Sequence, residues 1–280
     1  MFVFLMTIWQ SASSAAEIVY YPRPESTLDK RSEYPIKLLE LALQKSGRQY
    51  QLNPSPVAMQ QGRALIEVGA DSQLLNIMWA MTSVEREKQA LPIRIPIDKG
   101  LLGWRLALVP AQDRDLMRHV QSVHDLASMT AGLGHDWPDV AIFRANGLAV
   151  STAANYELLF RMLSDRQFQY FPRSISEVWG ELDEHRQYKL LVADHVAIHY
   201  PAPQYYFVNM GNRKLAHDLR IGLERAITDG SFDRLFHQYF DKQIARADFE
   251  HRTILELTNP LLPPETPLKR KELWFQLQRH

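Results

Sequence analysis

An α/β fold in two lobes around a cleft follows from three features of the chain. From Glu17 onward, short β-rich runs alternate with amphipathic helical runs. The alternation occurs as two series, and each opens with a strand that runs into a helix N-terminus. The 280 residues, 46% hydrophobic and 23% charged, supply apolar material for one large domain or two smaller lobes.

The first series begins with the strand EIVYYP at 17–22. SEYPIKLLELALQKSG (32–47) predicts a helix, because Ser32 can cap it, Pro35 sits in the first turn, Ile36, Leu39 and Leu43 share a face, and Gly47 ends it. YQLNPSP predicts a second strand and MQQGRALIEVGA a second helix. LLNIMWAM is apolar enough for a third strand inside a sheet covered on both faces. After the charged cluster Glu85, Arg86, Glu87 and Lys88, GLLGWRLALVP (100–110) returns to strand, and Pro110 with AQDRD marks a boundary.

The second series runs from the strand SMTAGLG into a helix, HDWPDVAIFRANG, with Asp136 as candidate cap, Pro138 in the first turn and Gly147 as the stop. The strand LAVST, a helix capped by Asn155 and the strand FQYFPRS, ended by Pro172, follow. YKLLVAD and QYYFVNMGN are further strands. Two helices then close the fold, KLAHDLRIGLERAITDG with Leu215, Leu219 and Leu223 aligned, and SFDRLFHQYF (231–240). The expected division is a first lobe over 17–109, a second over 110–204, a return to the first over 205–240, and an extension over 241–280 whose proline-rich stretch NPLLPPETPLKRKELW wraps the surface.

Residues 1–16, MFVFLMTIWQSASSAA, read as a signal peptide, an apolar core before a small-residue cleavage site at Ser14-Ala15-Ala16. No Lys or Arg precedes the apolar run, so an upstream start or a retained anchor stays open. The chain is expected to be exported to the periplasm as a soluble protein. It contains no cysteine, which excludes a thiol nucleophile and a lipid-modified cysteine at the cleavage site. Thirty-two basic and 32 acidic residues cancel, so no global field attracts nucleic acid or an anionic membrane.

Four segments resemble the amino-acid-binding type of bacterial periplasmic solute-binding protein, solute-binding family 3, with its two-lobed type II fold. MTSVEREKQALPIRIPIDKGLLGWRLALV resembles that family's strand, T/S-x-x-x-R turn and return strand, and DLASMTAGLGHDWPD the opening of its second lobe. LLFRMLSDRQFQYFPRS is similar to a helix and strand of the second lobe, and residues 205–240 to the closing strand and helix pair. The resemblance spans roughly 17–240 and implies a ligand carboxylate held by Arg86 with Thr82 and Ser83. A guanidinium offers a planar fork of donors that matches a carboxylate. The acidic residue that the family supplies at the end of FQYFPRS is replaced by Pro172, Arg173 and Ser174, and Asp194 falls one strand later. With Arg173 in the cleft both lobes bring positive charge, which implies a solute more anionic than a zwitterionic amino acid. SEYPIKLL also replaces the glycine-rich start expected of the first helix.

Each candidate has a plainer alternative. Arg86 clamps a ligand or sits in a self-neutralising surface turn. Arg173 faces the cleft or braces Glu177 one turn on. Asp136 and His135 sit at a helix start suited to an anionic head, or Asp136 only caps. Trp79, Tyr21 and Trp137 form pocket walls or plain core. Arg23 reaches the cleft or the surface, and Ser174 accompanies Arg173. His195 and His199 are spaced for a helical metal site, but their segment reads as strand or loop, so no metal is expected. No G-x-S-x-G, H-E-x-x-H, P-loop or full G-x-G-x-x-G occurs, and no cofactor is expected.

The expected function is therefore capture of a small anionic solute, a carboxylate or amino-acid-like molecule, by a monomer. Its lobes would hinge near Val109 and Tyr205 and deliver the solute to an ABC transporter or a sensor, with no nucleic-acid partner. The alternative is an enzyme of the same fold, dehydratase- or lyase-like, with Asp136, His135 or Glu177 as acid or base.

Overall fold

The computed structural model describes residues 16–24 and 31–277, so the expected signal peptide lies outside it but for Ala16. In chain order the first half contains β1 (Glu17–Arg23), α1 (Glu33–Ser46), β2 (Tyr50–Ala58), α2 (Gln61–Gly69), β3 (Ile77–Met81), α3 (Val84–Gln89), β4 (Leu91–Ile93) and β5 (Trp104–Pro110). Then come α4 (Val123–Leu126), β6 (Thr130–Gly134), α5 (Asp139–Ala145), β7 (Ala149–Ala153), α6 (Tyr156–Ser164), β8 (Phe171–Ser174), α7 (Val178–Glu184), β9 (Leu190–Val192) and β10 (Val196–His199). β11 (Gln204–Val208), α8 (Arg213–Thr228), α9 (Ser231–Ala247) and β12 (Thr253–Glu256) complete it.

Among the described residues four sheets fall into two groups, a first and a second composite sheet, one in each lobe. In the first lobe β1 and β2 are parallel, and β11 lies between β3 and β4, antiparallel to both. Asn76 joins β1 to this group: its side chain accepts from the Tyr20 N–H (2.8 Å), and its own N–H donates to the Tyr20 carbonyl (2.9 Å). In the second lobe β6 and β7 are parallel and meet β8 through the Ala131–Tyr170 bridge. β5 pairs antiparallel with β8, β9 and β10, and β12 adds a parallel edge to β10.

The pairing of β5 places it wholly in the second sheet, so the chain crosses between lobes at 94–103 and returns at 200–203. The boundary expected at 109 therefore moves back by several residues. β5 is apolar along its whole length, so the sequence alone does not say which sheet it joins.

The helices that cover the first sheet follow their hydrophobic period. α8 buries Leu215, Leu219 and Leu223 against Leu38, Leu39 and Ala42 of α1, each leucine contributing about 1.5–3 kcal/mol on burial. The two helices approach closely at Gly222, where a Cβ would stand 1.8 Å from the Ala42 carbonyl oxygen. Asn155 and Asn212 cap their helices, each accepting from the N–H three residues on, whereas Ser32 makes no such bond. Asp136 is not a cap, because α5 starts at Asp139 with Pro138 at the cap position. Pro172 does not end its strand but lies within β8, opposite Ala107. α9 continues past Phe240 to Ala247.

The segment after α9 ties the lobes together. Beyond β12, Asn259 donates to the Pro201 carbonyl (2.8 Å), and the Leu261 carbonyl accepts from Val84 at the start of α3 (3.0 Å). Further on, Arg270 pairs with Glu224 of α8, Trp274 packs on Gly100, and the Phe275 N–H donates to the Lys99 carbonyl (2.7 Å). Both crossings are thus touched by the extension.

Candidate functional site

β3 ends at Met81 and the chain turns into α3 through Thr82 and Ser83. Ser83 caps α3 by accepting from the Arg86 N–H (3.2 Å), and Thr82 donates its hydroxyl to Glu87 (2.7 Å). The Arg86 side chain, 7% exposed, folds back beneath this turn and donates to the Met81 carbonyl (2.9 Å). It also donates across the cleft to the Asp136 carbonyl (3.1 Å). Burial lowers its pKa to about 10 against the pull of Asp136 and Asp139, so the guanidinium remains charged at neutral pH.

Asp136 occupies the turn between β6 and α5. Its carboxylate reaches the other lobe and accepts from the Gly62 N–H of α2 (3.0 Å). Gln60 donates to the Ala154 carbonyl (2.9 Å), so three hydrogen bonds cross the cleft here. Gly134 permits this turn, because a Cβ there would lie 2.5 Å from the Trp137 ring that folds over it.

In the second lobe Arg173, 2% exposed, lies behind the cleft wall. It donates from Nε to both Glu181 oxygens (3.0 and 2.8 Å) and from Nη2 to Glu181 (2.6 Å) and Glu177 (2.9 Å). Its guanidinium also lies over Trp137, 4.8 Å from the ring centroid. Burial alone would raise the Glu181 pKa, but the charge and hydrogen bonds of Arg173 outweigh it and hold this carboxyl below its usual range. Tyr156 completes the group with a hydroxyl donated to Glu181 (2.7 Å).

A cavity of about 330 Å³ lies between the lobes. Tyr34, Trp79, Trp137, Tyr156 and Tyr239 form its aromatic walls. Among the described residues six carboxylates line it, Glu33, Asp98, Asp136, Glu177, Glu181 and Glu184, against two guanidiniums, Arg23 and Arg31. Asp98 belongs to the first crossing and is 3% exposed. Its oxygens accept from the Gly100 (3.0 Å) and Leu102 (2.7 Å) N–H groups. Burial pushes its pKa up to about 7, with the charge of Glu177 adding to the push and the two N–H groups opposing it.

Of the residues singled out in the sequence, Trp79, Arg23 and Asp136 line this cavity, and Trp137 does as well. Arg86, Thr82, Ser83, Arg173 and Ser174 are buried in contacts within the chain and are absent from the lining, Ser174 donating to the Leu101 carbonyl (2.9 Å). Tyr21 packs beside Trp79 with ring centroids 6.4 Å apart, outside the lining, and His135, between the lining residues Gly134 and Asp136, is exposed and not part of it. His195 sits in a left-handed turn, while His199 stacks on Trp104 and bonds Glu256 (2.6 Å). The sequence reading missed Asp98, Glu181 and Glu184 as cleft residues. Glu177, Glu181 and Glu184 recur at the helical period in EVWGELDE, a legible acidic face. Asp98 two residues before Gly100 is a turn signature that says nothing of a cleft.

No protein-family model matches the chain, and no curated protein does. Solved structures match along most of its length. An ancestral arginine-binding protein bound to arginine aligns over 80% of this chain and 98% of its own, with 14% identity and a TM-score of 0.58. The fold is that of the periplasmic solute-binding proteins. A putative binding component of an ABC transporter from Wolinella succinogenes, complexed with lysine, shares this binding-protein fold at 14% identity, covering 80% of this chain and 95% of its own with a TM-score of 0.59. A histidine kinase sensor domain similar to periplasmic binding proteins aligns over 80% and 96%, at 14% identity and a TM-score of 0.57. Among the described residues, no helix of this binding-protein fold is long and apolar enough to cross a membrane.

Proposed function

We propose that the chain is an exported solute-binding protein that captures a small molecule between its lobes and presents it to an ABC transporter or a sensor. The observation that carries this reading is the cavity of about 330 Å³ at the junction of the lobes, walled by aromatic side chains from both of them. The fold is shared over about 80% of the chain with an arginine-binding protein, a putative binding component of an ABC transporter and a kinase sensor domain, which supports both kinds of partner. Ligand closure follows the two-state logic of such molecules, because a solute touched by both lobes favours the state in which both can touch it.

The expectation of an anionic solute rested on Arg86 and Arg173. Both are engaged within the chain, so this reading of the function does not depend on a charge for the ligand. A catalytic role has less support. His135 stands outside the cavity lining, the Asp136 carboxylate is held by Gly62, and Glu177 is held by Arg173.

A thermal-shift screen of the chain from Glu17 against amino acids, dicarboxylates, keto acids, amines and sugars tests the reading. A ligand raises the melting temperature as its concentration passes its Kd. It should also change the emission of Trp79 or Trp137 with a stoichiometry of one. A hit that is consumed during incubation would favour the enzyme, and a screen without hits would count against solute binding.

A further inference from the structure

We infer that the cleft accepts an organic cation and requires no carboxylate on it. This rests on the solute-binding reading and names the ligand class for the same cavity. Two placements carry it. The guanidiniums that could grip a carboxylate are already occupied: Arg86 by the Met81 and Asp136 carbonyls, and Arg173 by Glu177 and Glu181. At the lining itself, Arg31 lies 4.0 Å over the Tyr156 ring, and Arg23 is exposed and donates to the Ser55 carbonyl (2.8 Å).

The acid side of the cavity is not balanced in the same way. Among the described residues, the six carboxylates of the lining stand against four guanidiniums, Arg23, Arg31, Arg86 and Arg173. Asp98 is the clearest case. It is 3% exposed, faces the cavity, and has two backbone N–H groups as partners; among the described residues no cation pairs with it. Its pKa is raised chiefly by burial, and the charge of Glu177 adds to the shift. The side-chain oxygen of Gln243, also at the lining, is buried and has no donor. An ammonium or guanidinium brings donors and positive charge together, and the aromatic rings of Trp79, Tyr34 and Tyr239 at the lining favour a cation, whereas Trp137 already carries the Arg173 guanidinium. A carboxylate entering the same space would meet like charge, and neither Arg86 nor Arg173 would be open to it.

Calorimetric titration of the chain from Glu17, refolded to remove any carried-over ligand, with matched probes tests this. Agmatine is paired with arginine, cadaverine with lysine, and glutarate serves as the anionic counterpart of similar length. The expected result is one-to-one binding of an amine at least as tight as its amino-acid partner, and no binding of glutarate. Tenfold tighter binding of arginine or lysine than of its decarboxylated partner would overturn the assignment, as would preference for glutarate. Silence from every probe would also overturn it, while the solute-binding reading is decided separately by the broader screen. For an amine that binds, Glu177→Gln and Asp98→Asn are each expected to weaken it at least fivefold. Unchanged affinity in both variants, with melting curves confirming that they fold, would overturn the placement of the cation.

Discussion

At the scale of single residues, Asp98 carries the sharpest pH signature. Its folded pKa of about 7 stands above the ordinary carboxylate value, so the native state holds more protons than the unfolded chain between those two points. Its contribution therefore falls as pH rises from about 4 to 7 and stays low above that, by roughly 4 kcal/mol at full extent. Asp98→Asn does not titrate, so its stability relative to wild type should improve from about pH 4 to pH 7 and level off above that in urea melts. A constant difference would remove Asp98 as the titrating group. Arg173 behaves in the opposite sense, as one member of a compensated buried group. Arg173→Met leaves Glu181 buried without its partner and should cost roughly 3–5 kcal/mol, much of it recovered when Glu181→Gln is added; denaturant unfolding of the single and double variants measures both. The local half of this arrangement was legible, because Glu177 follows Arg173 by four residues, across the turn between β8 and α7. The longer link to Glu181, and the Arg86 contact with Asp136 fifty residues away, were not, since a sequence displays charge but not which main-chain groups lie beside it.

At the scale of elements, hydrophobic period decides what can be read. α1, α8 and the apolar β3 were legible because each has a buried face or run that no other structure explains as well. β12 was not, for its four residues TILE become a strand only by pairing with β10, and the final turns of α9 extend a helix whose charged residues carry no stop signal. The helix pair α1 and α8 depends on a missing side chain. Gly222→Ala should force its Cβ against the Ala42 carbonyl and destabilise by about 1–3 kcal/mol or more, whereas helix propensity alone predicts a small gain. A melting temperature unchanged or raised would show that α8 can shift to make room.

At the scale of the molecule, two lobes and a cleft were legible from the two β-α series, while the crossing points were not, since β5 is apolar enough for either sheet. The extension adds a third connection to the two crossings. Truncation after Asp248 removes β12 and the buried Phe249, Leu255, Leu257 and Leu273, and the melting temperature should fall by about 10 °C or more. A truncated chain that melts as the whole one does would make the extension an ornament.

The position of β11 bears on how the chain comes to be folded. The strand at 204–208 fills the gap between β3 and β4, which are finished more than a hundred residues earlier, and β12 closes the edge of the second sheet later still. During synthesis, the first sheet thus waits with an open centre until more than two hundred residues have been made. Late closure of this kind leaves the first sheet incomplete for most of the chain's synthesis, which would suit the export proposed for it.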